Sequence, residues 1–456
     1  MTRDDRRAVA TTSTQQADDG RRSMSAKGAP AAATAAARAV FVVFVLNGFN
    51  FSSWASRIPA VRDGLGLTPS GIGVLLLIGS AGSLAALPLS GVVVTRLGAA
   101  RTVLGFAAIN VTGLMVASIG VATGHVVLVG AGLVVTGIGT GVWDASMNLE
   151  GAVVEQHLGR TIMPRFHAGF SIGTMAGAGV AALAAWLRVP VAVHLPIVLA
   201  VSICGVAWAV RAFLPSGRTL RATGAAGPDA RTDAPLGSTT PPVTVTGRAV
   251  PGSSAPSRAR RAFGAWLEVR TLLIGLVVLA AALTEGSAND WVALAVVDGY
   301  GTDHTVGALT FGLFVTAMTA MRFLGTHLLD RHGRVAVLRL CAALALVGLM
   351  LFGLAGQGMM WLALVGVVLW GMGAALGFPV GMSAASDDPA HAAARLSVVS
   401  TVGYSAFLAG PPLLGLLAGQ VGYRHALLAI AVPVLVGLLV VNAAAPVPED
   451  RAGATS

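Results

Sequence analysis

One stretch of the chain sets carboxylates into an otherwise apolar run: Gly137-Ile-Gly-Thr-Gly-Val-Trp143-Asp144-Ala-Ser-Met-Asn148-Leu-Glu150-Gly-Ala-Val-Val-Glu155. Asp144, Asn148, Gly151 and Glu155 follow one another at helical spacing and fall within about 40° of one helix face, whereas Glu150 points elsewhere. An ionised carboxylate at hydrocarbon depth costs several kcal/mol unless it is paired or faces water. A bound proton or a polar cavity is the cheaper solution. A group that takes up and releases a proton as its access changes is what proton-coupled movement of a solute requires. The competing reading is a structural carboxylate, hydrogen-bonded near the cytoplasmic end of its helix. We prefer the chemical reading for Asp144 and the structural one for Glu155.

Other polar side chains in apolar surroundings could join that chemistry. His167 opens the next apolar segment, and an imidazole there can share a proton or bind a solute. Glu285 and Asn289 share a helix face by their spacing, with Glu285 about 22 Å into a segment that starts near Arg270. Asp290 is read as close to the outer surface and hydrated. Asn47, Asn50 and Trp54 are offered by the first segment. Asn50 and Glu285 are assigned to a cavity, Trp54 and Trp291 to anchoring at the membrane interface. No phosphate-binding glycine loop and no convincing His/Cys cluster is present, so neither cofactor nor metal is expected. An enzyme is not expected either, because the connections leave no room for a folded aqueous catalytic domain.

The elements that must position these residues are membrane helices. Of the 456 residues, 55% are hydrophobic and 11% charged, against roughly 25% charged in soluble proteins; mean hydropathy is +0.77. Segments long enough to cross about 30 Å of hydrocarbon lie near residues 39–57, 70–94, 101–122, 126–149, 166–187, 190–213, 271–292, 304–328, 334–355, 358–384, 394–419 and 424–445. The 58 glycines suit helices that approach closely in lipid. Of the 30 Lys and Arg, all but Arg57, Arg62, Arg188 and Arg424 fall on one side if both termini are cytoplasmic. That bias fixes the orientation and accounts for the net charge of +10. Because these residues are scattered among membrane loops, the basic charge does not imply nucleic-acid binding. Cys204 and Cys341 lie in separate segments and imply no disulfide framework.

The chain repeats itself. Gly137-Ile-Gly139 returns as Gly371-Met-Gly373, Gly169-Phe170-Ser171 as Gly403-Tyr404-Ser405, Arg96-Leu-Gly98 as Arg331-His-Gly333, and Trp54 as Trp291. Matched halves with a site between them are the plan of many solute carriers. Asp144 is the informative difference, since its repeat partner is Phe378. The expected organisation is a cytoplasmic tail (1–37), a six-helix bundle (38–213), a flexible Pro/Gly/Ser-rich cytoplasmic linker (214–268), a second six-helix bundle (269–446) and a cytoplasmic C-terminal tail (447–456).

The loop Gly325-Thr-His-Leu-Leu-Asp330-Arg331-His-Gly333-Arg334 and its counterpart Gly91-Val-Val-Val-Thr95-Arg96-Leu-Gly98-Ala-Ala-Arg101 resemble the cytoplasmic loop motif of the major facilitator superfamily. The resemblance implies gating roles for Arg96, Gly98, Arg101, Asp330, Arg331, Gly333 and Arg334, with an Asp–Arg latch shared with Arg322. Thr95 replaces the motif's Asp in the first copy. The Asp144–Asn148 segment with Phe166-His167-Ala-Gly-Phe-Ser-Ile-Gly173 resembles the fucose-permease-related branch, in which an acid followed four positions later by Asn occupies the fourth span. Trp54-Ala-Ser-Arg57-Ile-Pro59, Glu285-Gly-Ser-Ala-Asn-Asp290-Trp291 and Gly403-Tyr404 leading to Gly410-Pro411 are similar to the YbjJ-like subgroup. Sugar–proton relatives also carry an acid in the first span; this chain has Ser52, Ser53, Trp54 and Ala55 there, so sugar specificity is not inherited.

The expectation is therefore an all-α polytopic membrane protein with twelve transmembrane helices in two pseudo-symmetric bundles. It is read as a monomer in a bacterial-type inner membrane, moving a small polar solute with protons by alternating access. Asp144 is the proton carrier; Asn50, Asn148, His167, Glu285, Asn289 and Tyr404 are cavity residues. A drug or metabolite exporter working by proton antiport is the first alternative. The fifth span lacks the Gly-Pro ending common in antiporters, which tilts against it. A non-transporting sensor or assembly protein on the same scaffold is the second.

Overall fold

A computed structural model describes residues 31–160, 162–214, 264–388 and 391–446. Eleven helical stretches among them are long and apolar enough to cross a membrane. We label them α1 (Ala31–Leu65), α2 (Pro69–Leu97), α3 (Ala99–Thr123), α4 (Val126–Leu158), α5 (Met163–Trp186), α6 (Val191–Ala212), α7 (Val269–Tyr300), α8 with α9 (His304–Leu354), α10 (Gln357–Ala385), α11 (Ala392–Val421) and α12 (Tyr423–Ala444). The 51-residue stretch His304–Leu354 would be about 76 Å long as one helix, more than twice the hydrocarbon thickness. It is broken at Gly333, whose φ of 74° and ψ of 163° are not helical. Its arms, 304–332 (α8) and 334–354 (α9), are two crossings, giving twelve. Helix α1 starts within the stretch expected to be tail, and 264–267 are helical at the end of the expected linker. The rest of both tails and of the linker lies outside the described residues.

The two halves turn their corners alike. Gly98 between α2 and α3 has φ 80° and ψ 156°, nearly the values of Gly333 between α8 and α9, its repeat partner. Only glycine adopts a positive φ without steric cost, so the repeated Arg-x-Gly is a backbone requirement. At the α11–α12 corner Gly422 has φ 80°. Its counterpart between α5 and α6 is Arg188, which is held at φ 56°.

The repeated Gly-x-Gly has an equally local cause. On α4, Gly137 lies against Gly79 of α2 and Gly139 against Asn110 of α3; on α10, Gly371 lies against Phe314 of α8 and Gly373 against Ala345 of α9. Each pair lets one helix touch two neighbours backbone to backbone, the close approach that small residues permit in lipid. Helix starts follow capping rules. Thr68 accepts from Gly71 N (3.2 Å) and Asp303 from Val306 N (2.9 Å), satisfying donors that a first turn leaves open.

The halves meet along two seams, α2 with α11 and α5 with α8. In the first, Gly73 faces the Pro411 carbonyl and Gly415 the Pro69 carbonyl; in the second, Gly312 lies on Ala178. At the Leu65 end of α1 the halves are latched. Arg62 chelates Asp63 (2.6 and 2.8 Å), reaches across to Asp298, and lies 5.6 Å from the Tyr423 ring centroid. Asp63 also takes His304 Nε2 at 2.9 Å.

Candidate functional site

Asp144 lies on α4, 8% exposed, within electrostatic reach of Tyr404 on α11 of the opposite half. Tyr404 stands between Phe378 (6.4 Å between rings) and Phe407 (6.3 Å), and its hydroxyl is buried with no hydrogen-bond partner. Phe378, the repeat counterpart of Asp144, is thus one ring away from the tyrosine that the carboxylate senses. Asn148 donates to the Asp144 backbone carbonyl at 2.9 Å, so its amide is used within its own helix. Asn50 on α1 is 2% exposed, and neither its amide nitrogen nor its oxygen has a partner. Such a group is costly to bury and marks a place where a polar guest is welcome. His167 is half-buried on α5, edge-on to Phe44 with centroids 5.1 Å apart. It lies within Coulombic reach of Arg322 on α8. Asn289 is half-buried on α7.

Arg322 corrects an expectation. It has no part in the α8–α9 loop latch: it is held in the body of α8, bound to Glu285 of α7 at 3.1 and 3.3 Å. Its Nε donates to the Ala375 carbonyl at 3.2 Å. The cause is four residues downstream. Pro379 has no N–H, so Ala375 loses its helical donor, α10 breaks between Ala374 and Gly377, and the guanidinium takes the freed carbonyl. Glu285 is therefore a buried partner of Arg322. Opposed charges supply what neither could do alone in this medium.

The loop motif is likewise rearranged. Arg334 binds Asp387 at the end of α10 (2.6 and 2.8 Å), where Arg270 also binds (3.0 Å). Asp330 and Arg331 are exposed, as are Arg96 and Arg101 in the other half. Arg395 joins Glu268 (2.6 Å) and Asp388 (3.2 Å). Burial tends to raise the Glu268 carboxyl, but hydrogen bonds from Arg395 and Thr271 and the Arg395 charge outweigh it and hold the group below the usual carboxylate range. This network ties together the neighbouring ends of α7, α9, α10 and α11. Asp387, Glu268, Arg270 and Arg395 were not singled out from the sequence; the compensating charges at repeated helix ends were the available signal.

Glu155 behaves as the structural reading holds: one carboxylate oxygen accepts from Ile162 N and Met163 N, both at 2.6 Å, capping α5. Glu150 is fully buried and accepts from Leu214 N at 2.9 Å. Two outer-side expectations fail. Trp291 is 1% exposed and packs against the tilted ring of Tyr423, centroids 5.7 Å apart, so it is a core residue and no interface anchor. Asp290 is half-buried and lines a small cleft between α7 and α11, about 15 Å from the Tyr300 end of α7, and is not near that end of the helix.

This arrangement has known counterparts. The family model described as Major Facilitator Superfamily matches residues 40–406 and 274–456. An uncharacterised transporter, y4wD, of Sinorhizobium fredii is 32% identical over 408 residues, covering 87% of this chain and 97% of that protein. Among solved structures, the nucleoside transporter NupG superposes with a TM-score of 0.67 at 14% identity, over 90% of this chain and 98% of that one. The fucose:proton symporter FucP of E. coli does so at 0.55 and 14%, over 91% and 98%. At such identities the structures share the fold alone; the sequence matches show the family. The chain belongs to the Major Facilitator Superfamily.

Proposed function

We propose that this chain is a secondary transporter which moves a small polar solute with protons by alternating access, and that Asp144 carries the proton. The observation that supports it is the setting of Asp144: a buried carboxylate on α4, in electrostatic contact with a tyrosine of the opposite half. A change in the relation of the halves changes the surroundings of the carboxylate, which is what coupling needs. Asn50, His167 and Tyr404 offer polar groups for a solute, and the Arg322–Glu285 pair gives the C-terminal half a charged wall. The solved relatives described as a nucleoside transporter and as fucose and D-xylose proton symporters favour a polar cargo and a proton. The bias of Arg across the loops supports a bacterial-type inner membrane with both termini cytoplasmic.

The test uses the full chain in proteoliposomes. Sugars, nucleosides, organic acids and drugs are screened for solute-dependent proton movement, and Asp144→Asn is then compared with wild type. Asn keeps the shape of the site without the titratable proton. Accumulation against a gradient disappears while exchange at equal concentrations survives, because exchange does not need the empty carrier to release its proton and return. Wild-type accumulation in the variant would make Asp144 structural. His167→Gln is the companion: if it alone shifts the pH optimum, the titrating group is the imidazole.

A further inference from the structure

The pocket beside Asp290 has no role in the reading above. It is a small cleft between α7 and α11, lined by Ser287, Asp290 and Trp291 from one helix and Phe407, Gly410 and Pro411 from the other, among further apolar residues. Neither α2 between Pro69 and Thr95 nor α11 between Arg395 and Val421 carries a charged side chain. On α7 the nearest acid, Glu285, is bound to Arg322. The other charges on this side, Arg57, Arg62, Asp63, Arg188, Asp298, Asp303, His304 and Arg424, sit at the helix ends and connections; Arg62, Asp63, Asp298 and His304 form the latch, and Arg424 is bound to the Ala355 carbonyl. Among the described residues, no side chain or backbone group is hydrogen-bonded or ion-paired to the Asp290 carboxylate. A lone carboxylate at this depth is costly and marks a functional position.

A second observation comes from the sequence of α11. Pro411 and Pro412 both lie inside the helix and carry no N–H, so the carbonyls of Phe407 and Leu408 lose their helical donors. In α10 the carbonyl freed by Pro379 is taken by Arg322. In α11 no side chain among the described residues donates to either. Phe407 itself lines the pocket. A carboxylate, a serine hydroxyl and carbonyls released from a broken ladder form the oxygen set that membrane carriers use for small cations. The position is also mechanically placed: the Pro411 carbonyl rests on Gly73 of α2, at the seam between the halves.

We propose that Asp290, with Ser287 and the proline-freed carbonyls of α11, forms a monovalent cation site, for a proton or a sodium ion, and that its occupancy is coupled to the α2–α11 seam. The proposal rests on the reading of the chain as an ion-coupled carrier and gives the ion a place apart from Asp144. The test measures thermal unfolding of the purified full chain in nanodiscs in two series. One replaces choline chloride by sodium chloride at constant ionic strength and pH 7.5; the other varies pH without sodium. In the sodium arm, wild type shows a saturable rise in midpoint that Asp290→Asn loses and Asp144→Asn retains. Pro411→Ala, which returns an N–H to the Phe407 carbonyl, raises the half-saturating sodium concentration at least tenfold. In the proton arm sodium is without effect, Asp290→Asn removes a pH-dependent component that Asp144→Asn retains, and Pro411→Ala leaves that component in place. Superposition of Asp290→Asn on wild type in both series overturns the proposal, as does a wild type that responds to neither cation. If Asp290→Asn does not fold, Asp290→Glu must keep a response with a shifted midpoint; an unshifted one overturns the proposal. If Asp144→Asn loses accumulation while Asp290→Asn changes nothing, coupled transport stands and this site falls. If Asp290→Asn loses the response while Asp144→Asn accumulates normally, the Asp144 reading falls.

Discussion

Removing the Arg62 side chain tests whether the outer latch holds the halves together. Arg62 makes two contacts across the seam, an ion pair with Asp298 and a cation–π contact with Tyr423. Asp298 is 39% exposed and Arg62 12%, so the ion pair is only partly shielded and worth about 0.2–1 kcal/mol. The contact with the ring adds about 0.5–1 kcal/mol. Their loss should weaken the closed outer face by about 1–2 kcal/mol, which multiplies the outward-open population about 5- to 30-fold. The assay places a single cysteine at Leu67, which packs under the seam, in a background lacking Cys204 and Cys341. Modification by a membrane-impermeant maleimide added outside is timed for Arg62→Ala, Asp298→Ala and the double variant. Each single change should speed labelling, and the double change should fall short of the product of the two, because partners in one contact are not additive. Unchanged labelling in Arg62→Ala, or independent effects in the double variant, refutes the latch.

At the opposite end of the helices from that latch, Glu268→Gln should lower the thermal midpoint at pH 7. A carboxyl held below its ordinary value stabilises the fold above that value and loses the contribution as pH falls through the folded one. The difference from wild type should therefore persist down to about pH 4.5, the ordinary value, and narrow below it. A gap independent of pH between 7 and 3.5 would deny the Arg395 pairing. Gly139→Val should destabilise by about 1–3 kcal/mol or more, because a Cβ at that position would lie 2.7 Å from Asn110 Cα and α3 and α4 would have to separate. Monodispersity in size-exclusion chromatography is the readout, and wild-type behaviour would show that the helices are not packed as described.

The sequence by itself determined the membrane architecture, the repeat and the corners. Long apolar segments have one solution in lipid, since every backbone group must be bonded internally, and Arg-x-Gly with Gly-x-Gly encodes corner and contact through properties of glycine alone. Asp144 was legible because a carboxylate in an apolar run is conspicuous whatever surrounds it, and Glu155 because a carboxylate near a helix end has a local role. The pairing of residues far apart in the chain was decided by tertiary structure. Arg322 reads as part of a basic loop until α10, broken by Pro379, presents a bare carbonyl beside Glu285. Arg334 finds Asp387 in place of the nearer Asp330, because the charge at a helix end is satisfied by whichever acid the packing brings to it. Asp290 counts as surface by the length of its apolar segment, yet in the fold it is half-buried and shares a cleft with α11. Helical spacing tells which residues share a face; only the packed neighbours tell what that face meets.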